Sequence, residues 1–178
     1  MTRLVAFLRA VNVGGRTVKM DALRAAFESL AFARVETFIA SGNVVFDSPA
    51  RDLAALERKI EAQLQTSFGF EIDTFVRTLA DTAALAVHPA FDADTARART
   101  QVVGFLREAP SPQALQALAG MATDADHLQV RGRELFWHSS NSQADAKVSN
   151  AALERALKMR STLRDVGSLR KLVAKHGG

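Results

Sequence analysis

The sequence predicts an α+β protein made of two βαββαβ units in tandem, closed by a C-terminal helix. Three observations predict it. Apolar runs of strand length alternate with segments of helical periodicity, the order of these segments occurs twice, and each occurrence holds a pair of short strands around a glycine, at Ser41-Gly42-Asn43 and at Arg131-Gly132-Arg133. With 178 residues, 48% hydrophobic and 24% charged, the chain can bury one sizeable core or two small ones.

Residues 3–11 form an apolar run and predict the first strand. Met20, Leu23, Phe27 and Leu30 recur at helical spacing and predict an amphipathic helix over about 19–31. Glu36 to Ala40 and Val44 to Asp47 predict two strands joined by a tight hairpin. Ser48-Pro49 predicts the next helix start, with serine capping and proline in the first turn, and Leu53, Leu56, Ile60 and Leu64 supply its apolar stripe. Phe70 to Val76 completes the split-βαβ order of ferredoxin-like domains. Leu79 to Val87 predicts a short helix, followed by His88-Pro89 and a polar, alanine-rich loop.

The second unit repeats the order. Gln101 to Arg107 is a strand, and Ser111-Pro112 opens a helix carrying Leu115 and Leu118. His127 to Val130 and Glu134 to His138 form the second hairpin. Ser149 caps a helix carrying Leu153 and Leu157, Thr162 to Arg164 is a short last strand, and Asp165 caps a final helix with Leu169, Leu172 and Val173. The organisation expected is therefore a first subdomain over 1–77, a linker with a short helix over 78–99, and a second subdomain with the basic helix over 100–178. The repeat is one of element order rather than of residues.

Composition excludes several classes of function. The chain has no cysteine, so disulfides, thiolate metal sites and thiol nucleophiles are absent. The opening Met-Thr-Arg-Leu-Val-Ala-Phe-Leu-Arg is too short and too charged for a signal peptide, and no stretch reaches membrane-spanning length, which predicts a cytoplasmic protein without membrane association. His88, His127, His138 and His176 are scattered, with no i,i+4 pair suited to a metal, and Asp92/Asp94 and Asp124/Asp126 read as solvated turns. No metal and no cofactor is expected. Residues 146–178 hold eight Lys and Arg against two acidic residues, whereas the rest of the chain carries a net charge of −2. Such a tail suits phosphate or acidic partners, although a solvated helix face is the commoner explanation.

In a βαββαβ unit the loop after the first strand, the hairpin and the turn before the fourth strand fall at one edge. Asn12 to Lys19, Ser41-Gly42-Asn43 and Phe68-Gly69-Phe70 should then converge on one rim. This rim is the candidate site for a small anion. Arg9 and Lys19 would supply charge, Gly14 and Gly15 backbone donors, and Asn12, Ser41 and Asn43 orienting hydrogen bonds. Each residue also has a plain structural reading. The glycine pair suits a turn that needs positive φ, Asn12 can bond its own loop, and Ser41 and Asn43 are ordinary hairpin residues.

Phe7-Leu8-Arg9-Ala10-Val11-Asn12-Val13-Gly14-Gly15, with Lys19-Met20 and Leu23 behind it, resembles the opening signature of a bacterial family, domain of unknown function 1697. Phe38-Ile39-Ala40-Ser41-Gly42-Asn43-Val44-Val45-Phe46 resembles its second signature. Weaker similarity continues through Val87-His88-Pro89-Ala90-Phe91, Val102-Val103-Gly104-Phe105-Leu106, Lys147-Val148-Ser149 and Ser161-Thr162-Leu163-Arg164. The resemblance implies two ferredoxin-like subdomains and carries no established activity. Two positions depart from it. Ala10 stands where the family usually has glycine, and Arg164-Asp165-Val166 stands where it usually has Arg-Asn-Trp.

Three functions of different classes fit these residues. First is a cytoplasmic binding module for a small anionic ligand at the rim. The alternative is an enzyme acting there on a phosphate- or carboxylate-bearing metabolite. Third is nucleic-acid binding through the basic tail, with Arg164, Arg170 and Lys171 contacting phosphate. RNA-recognition modules of this topology stack bases on strand aromatics. Val44-Val45-Phe46-Asp47 does not reproduce that pattern, there is no tyrosine, and Phe136-Trp137 beside Arg131 and Arg133 reads first as a buried strand.

Overall fold

The computed structural model describes residues 1–38, 42–91 and 98–177. Among the described residues, eight strands and six α-helices follow one another as β1 (Thr2–Leu8), α1 (Met20–Glu28), β2 (Ala33–Phe38), β3 (Asn43–Ser48), α2 (Leu53–Phe68), β4 (Thr74–Thr78), α3 (Leu79–Ala86), β5 (Thr100–Leu106), α4 (Pro112–Ala119), β6 (Asp126–Arg131), β7 (Glu134–Ser139), α5 (Asn150–Leu157), β8 (Ser161–Asp165) and α6 (Val166–His176). A 3-10 turn spans Pro89–Phe91. The strands form two antiparallel four-stranded sheets, ordered β2-β3-β1-β4 and β6-β7-β5-β8. This is the ferredoxin-like arrangement, present twice.

The chain divides into a unit of Met1–Thr82 with Leu172–Gly178 and a unit of Ala83–Lys171. The boundary lies inside α3, and the end of α6 groups with the first unit, where the sequence division puts it with the second. The alanine-rich loop after His88-Pro89, with Asp92 and Asp94, lies outside the described residues.

Helix starts follow the side chains that can satisfy their free N–H groups. Ser111 accepts from Ala114 N and Ser149 from Ala152 N, as their spacing predicts. Asp165 accepts from Ser168 N at 2.9 Å and caps α6. The start of α2 differs from expectation. Ser48 remains in β3 and turns its hydroxyl to Ala50 N, while Asp52 accepts from Ala55 N and sets the cap four residues later. The first core is built by Leu4 and Leu8 of β1, Phe46 of β3, and the stripes Leu23/Phe27 and Leu56/Ile60/Leu64 of α1 and α2. The Phe27 and Phe46 rings meet edge-on with centroids 5.3 Å apart. The second core gathers Val102, Leu106, Leu118, Leu135, Leu153 and Leu157 around Trp137.

Each sheet ends in a strand whose outward N–H groups have no neighbouring strand. Helical carboxylates take three of these N–H groups. Glu57 and Glu61 of α2 accept from Val76 N at 2.8 Å and Thr74 N at 2.9 Å, and Glu154 of α5 accepts from Ser161 N at 2.9 Å. Thr74 pairs with Leu8 and Ser161 with Leu106, so these glutamates hold matching places in the two units. Arg77 and Arg164 match as well. Arg77 pairs with Val5 and donates to Val76 O at 2.8 Å; Arg164 pairs with Val103 and donates to Leu163 O at 2.8 Å. Both are buried. A residue-level repeat therefore exists inside the repeat of elements.

Candidate functional site

The rim opens where β1 ends. The strand stops at Leu8 because Ala10 adopts φ of 58°, a left-handed conformation that turns the chain out of the sheet. Gly14 and Gly15 follow with φ of 65° and 80°, and Arg16 N bonds back to Val13 O at 3.3 Å. Two consecutive positive φ angles closed in this way make a turn that only residues such as glycine enter cheaply. The turn reading of the pair therefore holds. Both glycines are exposed, with no atom within 4 Å of where a Cβ would stand.

The three loops do converge. Leu8 N donates to Gly42 O at 2.8 Å, and a Cβ on Gly42 would lie 2.9 Å from Val11 Cγ2, so the hairpin presses its bare backbone against the first loop. Arg9 N donates to Asp73 O at 2.9 Å. The Arg16 guanidinium lies 4.8 Å from the centroid of Phe70.

The candidate side chains are used unequally. Asn12 is exposed, and its Oδ1 accepts from Val18 N at 3.0 Å, closing the loop before α1. Asn43 is buried, and its Nδ2 donates to Phe38 O at 3.0 Å, so it braces the hairpin. Arg9 is half-buried. Lys19 is exposed in the N-cap position of α1, where extended backbone carries no side-chain cap. Ser41 lies outside the described residues. Arg16 is the cation that sequence reasoning missed, although it stands in the same loop between Gly15 and Lys19.

The tail requires one correction. Arg164 is not an exposed cation, because the pleat of β8 turns it inward. It is 8% exposed, donates to Thr162 Oγ1 at 2.7 Å, and burial pushes its pKa down to about 10. Arg170 and Lys171 are exposed on α6, and Arg170 Nε donates to Ala86 O at 3.1 Å. Phe7, Phe46, Phe136 and Trp137 are buried, as the plain reading of these strands expects. Among the described residues no group of three or more His, Asp or Glu is placed to hold a metal, and no helix is long and apolar enough to cross a membrane.

The family of proteins of unknown function DUF1697 matches residues 1–136. The chain belongs to this family. A solved structure of a conserved bacterial protein from Streptococcus pneumoniae is similar over 100% of this chain and 99% of that one, with a TM-score of 0.78 and 24% identity. That likeness shows the fold. No curated protein matches the chain.

The two positions that depart from the family resemblance have a physical reading in this fold. Ala10 adopts a left-handed φ that glycine, the residue the resemblance implies there, would enter more cheaply. A left-handed alanine costs roughly 1–2 kcal/mol, partly offset by the greater freedom of glycine in the unfolded chain. Ala10→Gly is therefore expected to stabilise the protein by up to about 1 kcal/mol, or roughly 2–4 °C in thermal unfolding. An unchanged or lower midpoint would contradict this account. At the second departure, Asp165 retains the capping chemistry that asparagine would supply, while Val166 is buried at the start of α6.

Proposed function

We propose that the protein is a binding module for a small anionic ligand, held at the β1–α1 rim. The observation that carries this reading is the exposed Gly14-Gly15 turn with exposed Arg16 and Lys19 following it in the same loop, ahead of a start of α1 that has no side-chain cap, and with half-buried Arg9 on the β1 side of that loop. Free N–H groups at a helix start attract negative charge, and flanking cations add to that field. Asn12 shapes the loop by its bond to Val18 N. In this reading Asn43 acts indirectly, by fixing the hairpin that supports Val11 and Leu8.

Thermal unfolding with millimolar inorganic phosphate and pyrophosphate tests the proposal, since a ligand that binds the folded state raises the midpoint. A rise is expected for the wild type. The double variant Arg16→Gln/Lys19→Gln should lose that rise while its ligand-free stability moves by no more than about 0.5 kcal/mol, as for surface changes generally. A wild type that does not respond, or a variant that responds equally, would reject the rim as an anion site.

A further inference from the structure

In the second unit a cleft of about 720 Å³ lies beside the hairpin of β6 and β7. Its volume lies within the range of small-molecule sites. Register explains its lining. His127 pairs with His138, Gln129 with Phe136 and Arg131 with Glu134, so these residues share the face of the hairpin opposite Leu135 and Trp137. The segment before the 3-10 turn crosses that face. His88 stacks on Phe136 with centroids 4.2 Å apart and planes 21° from parallel. Beside them the His127 and His138 rings stack at 4.6 Å and 23°. The cleft thus contains two stacked pairs of flat rings.

The charge of its described lining has one sign. Among the described residues, the ionisable groups lining it are Arg131 and the three imidazoles, with no carboxylate. Arg131 is exposed and makes no ion pair among the described residues, although Glu134 stands opposite in register. His88 Nδ1 accepts from Ala90 N at 3.1 Å, which puts the proton of the neutral ring on Nε2 as a donor. Burial, with a smaller contribution from the Arg131 charge, holds the His88 pKa below its usual value and favours that neutral form.

We infer that this cleft is a second binding site, for a planar aromatic anion, with the ring system seated beside the His127/His138 and His88/Phe136 stacks and the anionic group on Arg131. Flat imidazole and phenyl surfaces accommodate a ring of similar shape, and an exposed guanidinium with no ion pair among the described residues is the group best suited to a carboxylate or phosphate. The chemistry is shared by a nucleoside monophosphate and an aromatic carboxylate. The site is separate from the rim and does not depend on it.

Isothermal titration calorimetry of the full chain tests this with four probes: adenosine 5′-monophosphate, naphthalene-2-carboxylate, adenosine and inorganic phosphate. At least one of the two planar anions is expected to bind about tenfold or more tighter than both adenosine and phosphate. Arg131→Gln should weaken it by about tenfold, and His127→Ala, also at an exposed position, should weaken it too. A preference for the nucleotide assigns the site to nucleotides, and a preference for naphthalene-2-carboxylate to aromatic acids. Arg16→Gln/Lys19→Gln should bind these probes as the wild type does. If neither planar anion binds, if Arg131→Gln and His127→Ala bind unchanged, or if only the rim variant loses binding, the cleft is not the site.

Discussion

Glu57→Ala is expected to destabilise the protein by about 3–5 kcal/mol, the range seen when one member of a buried charge pair is removed. Glu57 is fully buried on α2, and its Oε1 accepts from Val76 N at 2.8 Å and lies 3.7 Å from Arg77 Nη1. Alanine removes both interactions at once and leaves Arg77, itself buried, without this carboxylate. Glu57→Gln retains an acceptor for Val76 N but loses the charge, so it should cost less than alanine. Urea unfolding of the three proteins gives the order directly. Domains are stable by only about 5–15 kcal/mol, so a loss of this size can leave Glu57→Ala partly unfolded, and Glu57→Gln then carries the comparison. Equal stability of all three would show that the pair contributes nothing.

Trp137→Ala is expected to cost a similar amount, about 3–5 kcal/mol, from lost transfer energy and the cavity left behind. Trp137 is 1% exposed at the centre of the second core, and its Nε1 donates to Asp126 Oδ1 at 3.1 Å. Burial by itself would raise the Asp126 pKa. Hydrogen bonds from Ser139, Trp137 and Thr123, with the nearby His127 charge, outweigh it and hold the carboxyl below its usual value. The stabilising contribution of Asp126 is therefore present above the unfolded-state pKa of about 3.9 and is lost as acidification passes through the lower folded value. Trp137→Phe keeps most of the packing and removes the bond, so it should be milder near neutral pH and show a shallower loss of stability in acid. Chemical unfolding near pH 7 and across the acid range measures both. A Trp137→Ala cost below about 1 kcal/mol, or identical acid slopes for Trp137→Phe and wild type, would contradict this view of the core.

Much of the fold was legible because the local signals agree with the tertiary ones. Ser111-Pro112 and Ser149 open helices where capping chemistry places them, and the apolar stripes of α1 and α2 face the core they predict. Boundaries failed where a local signal competed with a longer-range one. Residues 9–11 look like strand, yet the left-handed Ala10 ends β1 at Leu8. Ser48-Pro49 resembles a cap, yet cross-strand pairing with Thr2 keeps Ser48 in β3. The convergence of the rim loops followed from topology. The use of Asn43 as a buried brace did not, because a turn asparagine reads the same whether it faces ligand or backbone. Arg164 falls with the basic tail in sequence because charge along a sequence carries no face, and on a strand alternate residues point opposite ways. His127 and His138 looked scattered for a related reason. A helical spacing test cannot find them, whereas counting outward from the Gly132-Arg133 turn along the hairpin brings the two rings together.

The carboxylates along β4 and β8 bear on how copies of this chain can associate. A sheet edge with open N–H groups is a template on which another chain can add a strand. At β4 such a strand would have to displace Glu57 and Glu61, and at β8 it would have to displace Glu154, before forming any bond of its own. The displaced Glu57 would remain buried under its helix, so the exchange is unfavourable from the outset. Edge-to-edge polymerisation and β-augmentation are thereby disfavoured at these two strands, a guard against aggregation repeated in both halves by glutamates that align only in three dimensions.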